Sequence, residues 1–312
     1  MTSTDTVTIL RSRGRRLAKT IHSDGTIEQY DRAKTFDLIE MPLAGLDALE
    51  RLLRRLEHRG DCCAVRGAVA DLTRTKRARR LLYRDRDDEP TLRDVPRQWL
   101  ALDFDGLPNP GWIDPADLLG CACVGIRTLP NQFHRARFIV QATASHGLKP
   151  GIRIRLWSWL SRPTSGSELK VWLRSTPVDR SVFGPAQVIY TAAPIFLPGT
   201  FDPLTMRLDI IPGNEEVVVP TADRIEPHRR ESDVRESKGY RDDVSGLVRA
   251  VAAAPAGKRN ALLYWAACRV SENSDVDQER AGAFLEEAAM RAGLTEPEAA
   301  ATVRSALRHR GG

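Results

Sequence analysis

The stretch WLALDFDGLP, residues 99–108, places two aspartates one residue apart at the end of an apolar run. Gly106 and Pro108 break this run, which predicts a central strand that ends in a turn. Residues i and i+2 of a strand point to the same face, roughly 6.5–7 Å apart along the chain, so Asp103 and Asp105 project together. Two such carboxylates can hold the same divalent cations, although Asp is also common in turns.

Further elements are predicted on both sides of this strand. Leucines recur at helical spacing in LAGLDALERLLRRLEHRG, residues 43–60, with charges on the opposite face. SELKVWLRS, residues 167–175, is a second predicted helix. Strands are predicted for KTFDLIEM (34–41), DCCAVRGAV (61–69), RARFIVQATAS (135–145), IRIRLWSWL (152–160) and AQVIYTAAPIF (186–196). Together these elements predict an α/β (α+β) domain built on a mixed sheet.

The order of compositions along the chain predicts two domains. Residues 1–222 form the large domain, with residues 1–20 as a loosely ordered basic arm. Residues 223–243 are dominated by charges and hold almost no apolar side chains, which is typical of a linker. Residues 244–312 are rich in alanine and contain four helical patterns, so we expect a small all-α bundle.

Charge and motif content narrow the classes of function. Lys and Arg outnumber Asp and Glu by 47 to 41, which favours a polyanionic partner without proving one. The sequence has no run of eighteen apolar residues and no signal-peptide pattern, so we expect a cytoplasmic protein without a membrane partner. The five cysteines lack the paired spacing of a zinc site, and no P-loop of an ATPase motor occurs.

The string ALDFDG, residues 101–106, resembles the first motif of haloacid-dehalogenase-type phosphatases. In that family the first Asp is a nucleophile and the second an acid or base. The family motif normally stands near the N-terminus, with Thr or Val after the Gly. Here Leu107 follows the glycine, so the phosphatase stays an alternative.

A resemblance to another family appears once the downstream segments ATASHG (142–147), GIRIRLWSWL (151–160) and TPVDRSVFGPAQVIYTAAP (176–194) are included. Together with the D-x-D strand they resemble the archaeo-eukaryotic primase superfamily, which includes the bifunctional DNA primase-polymerases of phages and plasmids. That family orders a D-x-D strand, an s-x-H motif and a hydrophobic-Asp motif. Ala144-Ser145-His146 and Val178-Asp179 match the second and third. The resemblance covers residues 30 to 215 and implies an RRM-like core in a mixed-sheet catalytic domain.

The resemblance also implies a metal site. Asp103, Asp105 and Asp179 would bind two divalent ions, Mg²⁺ or Mn²⁺, and carboxylate oxygens suit these cations. Asp202 and Asp209 stand nearby in FDPLTMRLDI and are alternatives for the third ligand.

Nucleotide-binding residues are expected on the following elements. By resemblance, His146 would donate a hydrogen bond to the triphosphate of the incoming nucleotide, and Ser145 beside it belongs to the same motif. Arg153 and Arg155 alternate along the next strand, so both face one way and could clamp phosphates, with Lys149 adding a point charge. Exposed strand charges are the alternative interpretation of the two arginines.

Aromatic and helical segments suggest weaker nucleic-acid contacts. Trp157 and Trp159 share the parity of the two strand arginines, and they could stack on template bases or belong to the core. The helical region resembles the small domain that follows the catalytic domain in many phage and plasmid primases. Lys258, Arg259 and Asn260 could meet a phosphate at a helix N-terminus there, or simply cap the helix.

The resemblance therefore implies a DNA primase-polymerase that joins nucleoside triphosphates on a single-stranded DNA template, in replication of a phage or mobile element. Because no motor motif is present, a separate replicative helicase would be a partner. Besides the phosphatase, the second alternative is a replication-initiation protein that has the same fold and binds DNA without catalysis.

Overall fold

The computed structural model describes residues 5–85, 88–221, 239–255, 257–272 and 278–308. The chain divides into two compact units, residues 1–229 and 230–312. The first unit has a mixed α+β fold with several sheets, and the described part of the second is helical. No helix among the described residues is long and apolar enough to cross a membrane.

The first unit combines long and very short strands with three helices in its described residues. Its strands are β1 (Asp5–Arg11), β2 (Thr20–Ile21), β3 (Ile27–Glu28), β4 (Asp37–Leu43), β5 (Cys62–Val65), β6 (Ala68–Val69), β7 (Leu92–Arg93), β8 (Arg97–Leu107), β9 (Phe138–Ala142), β10 (Ile152–Thr164), β11 (Ile189–Tyr190), β12 (Ile195–Phe196) and β13 (Leu208–Ile211). Its helices are α1 (Leu46–Glu57), α2 (Leu118–Arg127) and α3 (Gly166–Trp172), with 3-10 turns at Asn131–Phe133 and Arg180–Phe183.

Two antiparallel sheets make up most of this unit. Their strand orders are β11-β5-β1-β4 and β13-β9-β10-β8. The expected mixed sheet is therefore wrong for both large sheets: among the named strands of the described chain, parallel pairing joins β12 to β2 in a small third sheet. Leucines of α1 at positions 46, 49, 52, 53 and 56 are buried, as their spacing predicts.

The strand predicted from residues 99–108 is β8, which pairs with β10 along most of its length. The predicted central position is wrong, because β8 is an edge strand in the order β13-β9-β10-β8. Five of its apolar side chains, on both faces of the sheet, are at most 1% exposed: Trp99, Leu100, Ala101, Leu102 and Phe104. On β10, Trp157 is fully buried and Trp159 is 6% exposed. The two tryptophans therefore belong to the core, and base stacking on them is excluded in this structure.

The predicted loose arm at residues 1–20 is wrong over its described part. Strand β1 lies between β4 and β5, and its residues 7–10 are buried. The segment DTVTIL contains four consecutive β-branched residues, a strand pattern that outweighs the basic residues after it. Residues 1–4 lie outside the described part of the chain.

Two segments predicted as single strands are each divided. DCCAVRGAV forms β5 and β6, which belong to different sheets, with Gly67 between them. A Cβ atom on Gly67 would lie 2.7 Å from the carbonyl oxygen of Pro185, so the close approach of that backbone requires glycine. AQVIYTAAPIF forms β11 and β12, again in different sheets, so the chain crosses between sheets at both places.

The second unit contains four helices in its described residues: α4 (Gly239–Ala252), α5 (Arg259–Glu272), α6 (Gln278–Arg291) and α7 (Glu296–Arg308). All four were expected, but α4 begins five residues before the predicted start of the domain at residue 244. Residues 223–238 of the predicted linker lie outside the described residues. At the start of α7, Glu298 accepts a hydrogen bond from the backbone N–H of Thr295 (3.1 Å), which is one half of the expected capping box.

Candidate functional site

Two aspartates of β8 lie directly opposite two arginines of the neighbouring strand β10. In the antiparallel register, Asp103 lies opposite Arg155 and Asp105 lies opposite Arg153. Directly opposed residues point to the same face of a sheet, so all four side chains share one face. Arg155 Nη2 donates to Asp103 Oδ2 at 2.6 Å, and Arg153 forms an ion pair with Asp105. This four-residue cluster, called the Asp–Arg row below, is the centre of the site.

The two halves of the Asp–Arg row differ in exposure. The side chains of Asp103 and Arg155 are 17% and 7% exposed. Arg155 Nη1 also donates to the carbonyl oxygen of Tyr190 at 2.7 Å. The side chains of Asp105 and Arg153 are 75% and 20% exposed. Asp103 and Arg155 therefore form the fixed inner pair, while Asp105 and Arg153 face solvent.

Two glycines let the ends of β8 and β10 cross closely beside the outer pair. Gly106 and Gly151 have φ angles of +88° and +81°, which side chains rarely allow. A Cβ atom on Gly151 would lie 3.0 Å from the backbone of Gly106. The glycine that breaks the apolar run is thus also required by the backbone conformation next to Asp105.

Of the three candidates for a third carboxylate, Asp179 is the one whose backbone adjoins Asp103. Its N–H donates to the carbonyl oxygen of Asp103 at 2.8 Å. Its side chain accepts from the N–H and the hydroxyl of Ser181 at 2.9 and 2.8 Å and so caps the following 3-10 turn. Asp202 is held by Arg207 through two hydrogen bonds of 2.6 and 2.7 Å.

Asp209 lies on the other face of the sheet. It pairs with Val140 of β9, whereas its neighbour Leu208 pairs with Gln141, in the same row as Arg155 and Asp103. Since successive strand residues alternate between faces, Asp209 cannot share a cation with Asp103.

The donor chemistry of these carboxylates fits divalent cations, but their present partners are arginines. Within the described residues, no group of three or more His, Cys, Asp or Glu side chains is arranged to hold a metal ion. Asp103 and Asp105 offer hard oxygen atoms on one face, and Asp179 adjoins Asp103 through the backbone. Binding of a cation here would have to compete with Arg153 and Arg155.

His146 is fully buried and uses both ring nitrogens within the protein. Its Nε2 lies 2.9 Å from the carbonyl oxygen of Pro115, and its Nδ1 accepts from the N–H of Arg153 at 3.2 Å. A carbonyl can only accept, so these contacts assign the neutral tautomer with hydrogen on Nε2. In this arrangement neither nitrogen is free for a phosphate. His146 positions the backbone of Arg153, and its contact with a triphosphate stays a prediction.

Burial, the largest cause, lowers the pKa of His146 from its ordinary value. The folded state therefore binds this proton less readily than the unfolded state, and the stability contribution is lost as pH falls through the folded pKa. We expect the wild-type free energy of unfolding to drop between about pH 7 and pH 5, and we expect His146→Gln to reduce this drop. Urea unfolding at the two pH values measures it, with the exposed His58→Gln as control. Identical pH slopes for wild type and His146→Gln would contradict the expectation.

Lys19 belongs to the site although no sequence motif points to it. Its Nζ donates to the hydroxyl of Ser145 at 3.0 Å and lies 5.3 Å from the centre of the Tyr30 ring. Burial is the main cause that lowers the pKa of Lys19, and the positive charges of Lys149 and Arg153 add to it. Lys19, Lys149 and Arg153 thus gather positive charge beside the outer carboxylate.

Tyr30 and Tyr190 form a second contact that the motifs do not reveal. Their rings stack with centroids 3.5 Å apart and planes 1° from parallel. Burial is the largest cause that raises the pKa of Tyr30 well above its ordinary value. Because Arg155 donates to the Tyr190 carbonyl, this pair is joined to the inner half of the Asp–Arg row.

The residues predicted to contact nucleic acid in the helical unit are partly used in its own packing. Arg259 Nη1 donates to the carbonyl oxygen of Gly293 at 3.4 Å, and Asn260 accepts from the hydroxyl of Thr302 at 2.5 Å. Lys258 is exposed. A phosphate contact at these residues stays a prediction.

No family model matches this chain, and no curated protein matches it. Among solved structures, a "Crystal structure of primase RepB'" is similar to it with a TM-score of 0.28 and 10% sequence identity, covering 100% of this chain and 96% of that one.

Proposed function

We propose that the first unit is a metal-dependent nucleotidyltransferase of the DNA primase-polymerase type. The observation that carries this proposal is the Asp–Arg row, in which two carboxylates and two arginines share one sheet face. Acidic groups that suit divalent cations, next to basic groups that suit phosphates, are what a cation–triphosphate substrate needs. Lys19 and Lys149 extend the positive side of the row.

In the proposed reaction, a 3′-hydroxyl loses its proton to solvent and its oxygen attacks the α-phosphorus of a nucleoside triphosphate. The bond from this phosphorus to the bridging oxygen breaks, and pyrophosphate leaves. Asp103, Asp105 and Asp179 would hold two Mg²⁺ or Mn²⁺ ions. When bound, such ions stabilise the charge on the attacking and leaving oxygens. The protein would also supply Arg153 and Lys149 to orient the triphosphate.

The two arginines would have different tasks. Arg153 can leave Asp105 and bind a phosphate instead. The Asp105 carboxylate is 75% exposed, so replacing the arginine by water costs it little free energy. Arg155 is 7% exposed and is fixed between Asp103 and the Tyr190 carbonyl. We assign Arg155 to positioning Asp103, and the phosphate contact expected from both arginines to Arg153.

The wider setting is proposed on the sequence alone. An archaeo-eukaryotic primase domain with an RRM-like core would copy single-stranded DNA of a phage or mobile element in the cytoplasm. The helical unit would hold template or initiating nucleotide, and a separate helicase would open the duplex.

Primer synthesis on circular single-stranded DNA tests the proposal. The full chain is given labelled ribonucleotides or deoxyribonucleotides with Mg²⁺ or Mn²⁺, and short products support the proposed function. If the chain instead traps an aspartyl-phosphate and makes no polymer, it is a phosphatase. If it binds DNA but makes no product with any nucleotide or metal, it is a non-catalytic DNA-binding protein.

Replacing Lys19 by Gln should weaken nucleotide binding more than it slows the chemical step. Loss of one charge-assisted hydrogen bond costs roughly 1.5 kcal/mol, so the KM for nucleotide should rise about tenfold. Steady-state extension of a primed template measures KM and kcat separately. The control is Lys170→Gln, an exposed lysine on α3. A Lys19→Gln enzyme with unchanged KM would remove Lys19 from the site.

A further inference from the structure

We propose that a cleft beside the start of β4 binds the phosphate backbone of single-stranded nucleic acid. It lies on the segment TRTKRARR, residues 73–80, which holds five basic residues in eight. The cleft encloses about 350 Å³, and Arg74, Lys76 and Arg77 line it with threonines 35, 73 and 91. These residues are called the basic cleft below. That this nucleic acid is the template for primer synthesis rests on the proposed function.

Three positive charges of the basic cleft have no ion-pair partner within the described residues. Arg74, Lys76 and Arg77 are exposed. The acidic side chains of the lining are already paired, since Asp88 binds Arg79 at 3.0 Å and Glu89 binds Arg84 at 3.4 Å. The basic cleft therefore has surplus positive charge that suits an anion.

The loop that carries these side chains is held in a fixed shape from beneath. Phe36 and Ala78 exchange two backbone hydrogen bonds of 2.9 and 2.8 Å. The N–H of Arg77 donates to Asp37 Oδ1 at 3.1 Å, and this carboxylate is completely buried. Arg77 has a φ of +50°, which residues other than glycine seldom adopt. Such a strained position persists only when its surroundings hold it, and it often marks a functional site.

The lining favours the backbone of a nucleic acid over its bases. Lys, Arg and Thr side chains are the usual partners of phosphate oxygens. Among the described residues, the lining contains no aromatic side chain on which a base could stack. We therefore expect binding that is independent of sequence and sensitive to salt.

The basic cleft is connected to the candidate site through a short stretch of chain. Tyr30 belongs to the site, and Thr35 of the cleft follows five residues later. Five residues span at most about 18 Å, so a nucleic-acid strand that is bound at the candidate site can also reach the basic cleft.

Binding of a labelled oligothymidine by the full chain tests the inference, in EDTA and without nucleotides, over a series of salt concentrations. The variant is Arg74→Gln/Lys76→Gln/Arg77→Asn, with Asn at the third position because it tolerates positive φ. The dissociation constant should rise at least about tenfold at low salt, and the slope of log K against log salt should shrink by about 2, since each phosphate contact contributes about 0.7. The charge-matched control carries Arg51→Gln, Arg55→Gln and Arg174→Gln, all exposed positions, and should bind like wild type.

Competition distinguishes a strand from a free triphosphate. Pyrophosphate and ATP should displace the oligonucleotide only weakly, whereas unlabelled single-stranded DNA should displace it fully. An unchanged salt slope in the triple variant, with circular dichroism like wild type, overturns the inference. Selective loss of ATP binding with normal DNA binding overturns it as well. Because EDTA removes the cations, this result is independent of whether the chain synthesises primers, so the proposed function can fail while the basic cleft still binds DNA.

Discussion

Replacing Asp103 by Asn is expected to lower primer synthesis by about 10³-fold, because a preorganised charge lost at a reacting centre costs roughly that much in rate. The substitution keeps the size of the side chain and removes its charge. Asp103 is the inner carboxylate. Its side chain accepts a hydrogen bond from Arg155, and its backbone carbonyl accepts one from the N–H of Asp179. Its loss should therefore disturb the site more than the loss of the exposed Asp105.

The effect on synthesis must be separated from an effect on stability. Arg155 is nearly buried, and the amide introduced by Asp103→Asn could accept one of its hydrogen bonds without balancing its charge. Asp202→Asn is the matched control, because Asp202 also pairs with a buried arginine, Arg207. Both variants should lose stability by urea unfolding, but only Asp103→Asn should lose synthesis. An Asp103→Asn enzyme within tenfold of wild type would contradict the proposed function.

The same assay decides the third carboxylate. Asp179→Asn keeps an oxygen that can accept from the N–H of Ser181, so the 3-10 turn should survive the substitution. The sheet faces require that Asp209→Asn retain activity. The proposed metal site requires that Asp179→Asn lose synthesis. The reverse result would remove Asp179 from the proposed site.

Local patterns predict those elements that bury a continuous face. The predictions made from the leucine spacing of α1 and from the apolar runs of β8 and β10 are correct, because burial of these side chains dominates the choice of structure. Short strands are harder to predict. The elements β5, β6, β11 and β12 have two to four residues each, and what divides them is the change from one sheet to another rather than a local signal.

The site itself could be predicted only in part. The D-x-D and R-x-R patterns each place their side chains on one face. Whether the aspartates lie opposite the arginines depends on the register of β8 and β10, and the paired residues Asp103 and Arg155 are 52 positions apart in the chain. Lys19 meets Ser145 across 126 positions, and no motif in a single sequence signals such a contact. Its segment is also predicted as a loose arm when the basic residues are given more weight than the strand pattern of DTVTIL.

The second large effect is expected at Asp37, a carboxylate that no motif marks. Its side chain is completely buried, and it accepts hydrogen bonds from Arg13 (3.0 and 2.8 Å), from Arg11 (3.2 Å) and from the N–H of Arg77 (3.1 Å). The hydrogen bonds from Arg13 are the largest cause that holds the pKa of Asp37 well below its ordinary range, against the opposing effect of burial. The folded state therefore favours the ionised carboxylate.

Asp37→Asn should reduce the free energy of unfolding at pH 7 by about 2 kcal/mol, less than the roughly 3–5 kcal/mol of a fully buried pair, because Arg11 and Arg13 reach solvent. For an acid with a lowered folded pKa, this stability is present above the unfolded pKa, about 3.9, and is lost as pH falls through the folded pKa. The difference between wild type and variant should thus shrink toward low pH in urea unfolding. Asp61→Asn, which breaks an exposed pair with Arg59, should cost under about 1 kcal/mol. A pH-independent difference, or equal losses in the two variants, would show that Asp37 does not hold the loop of the basic cleft through its charge.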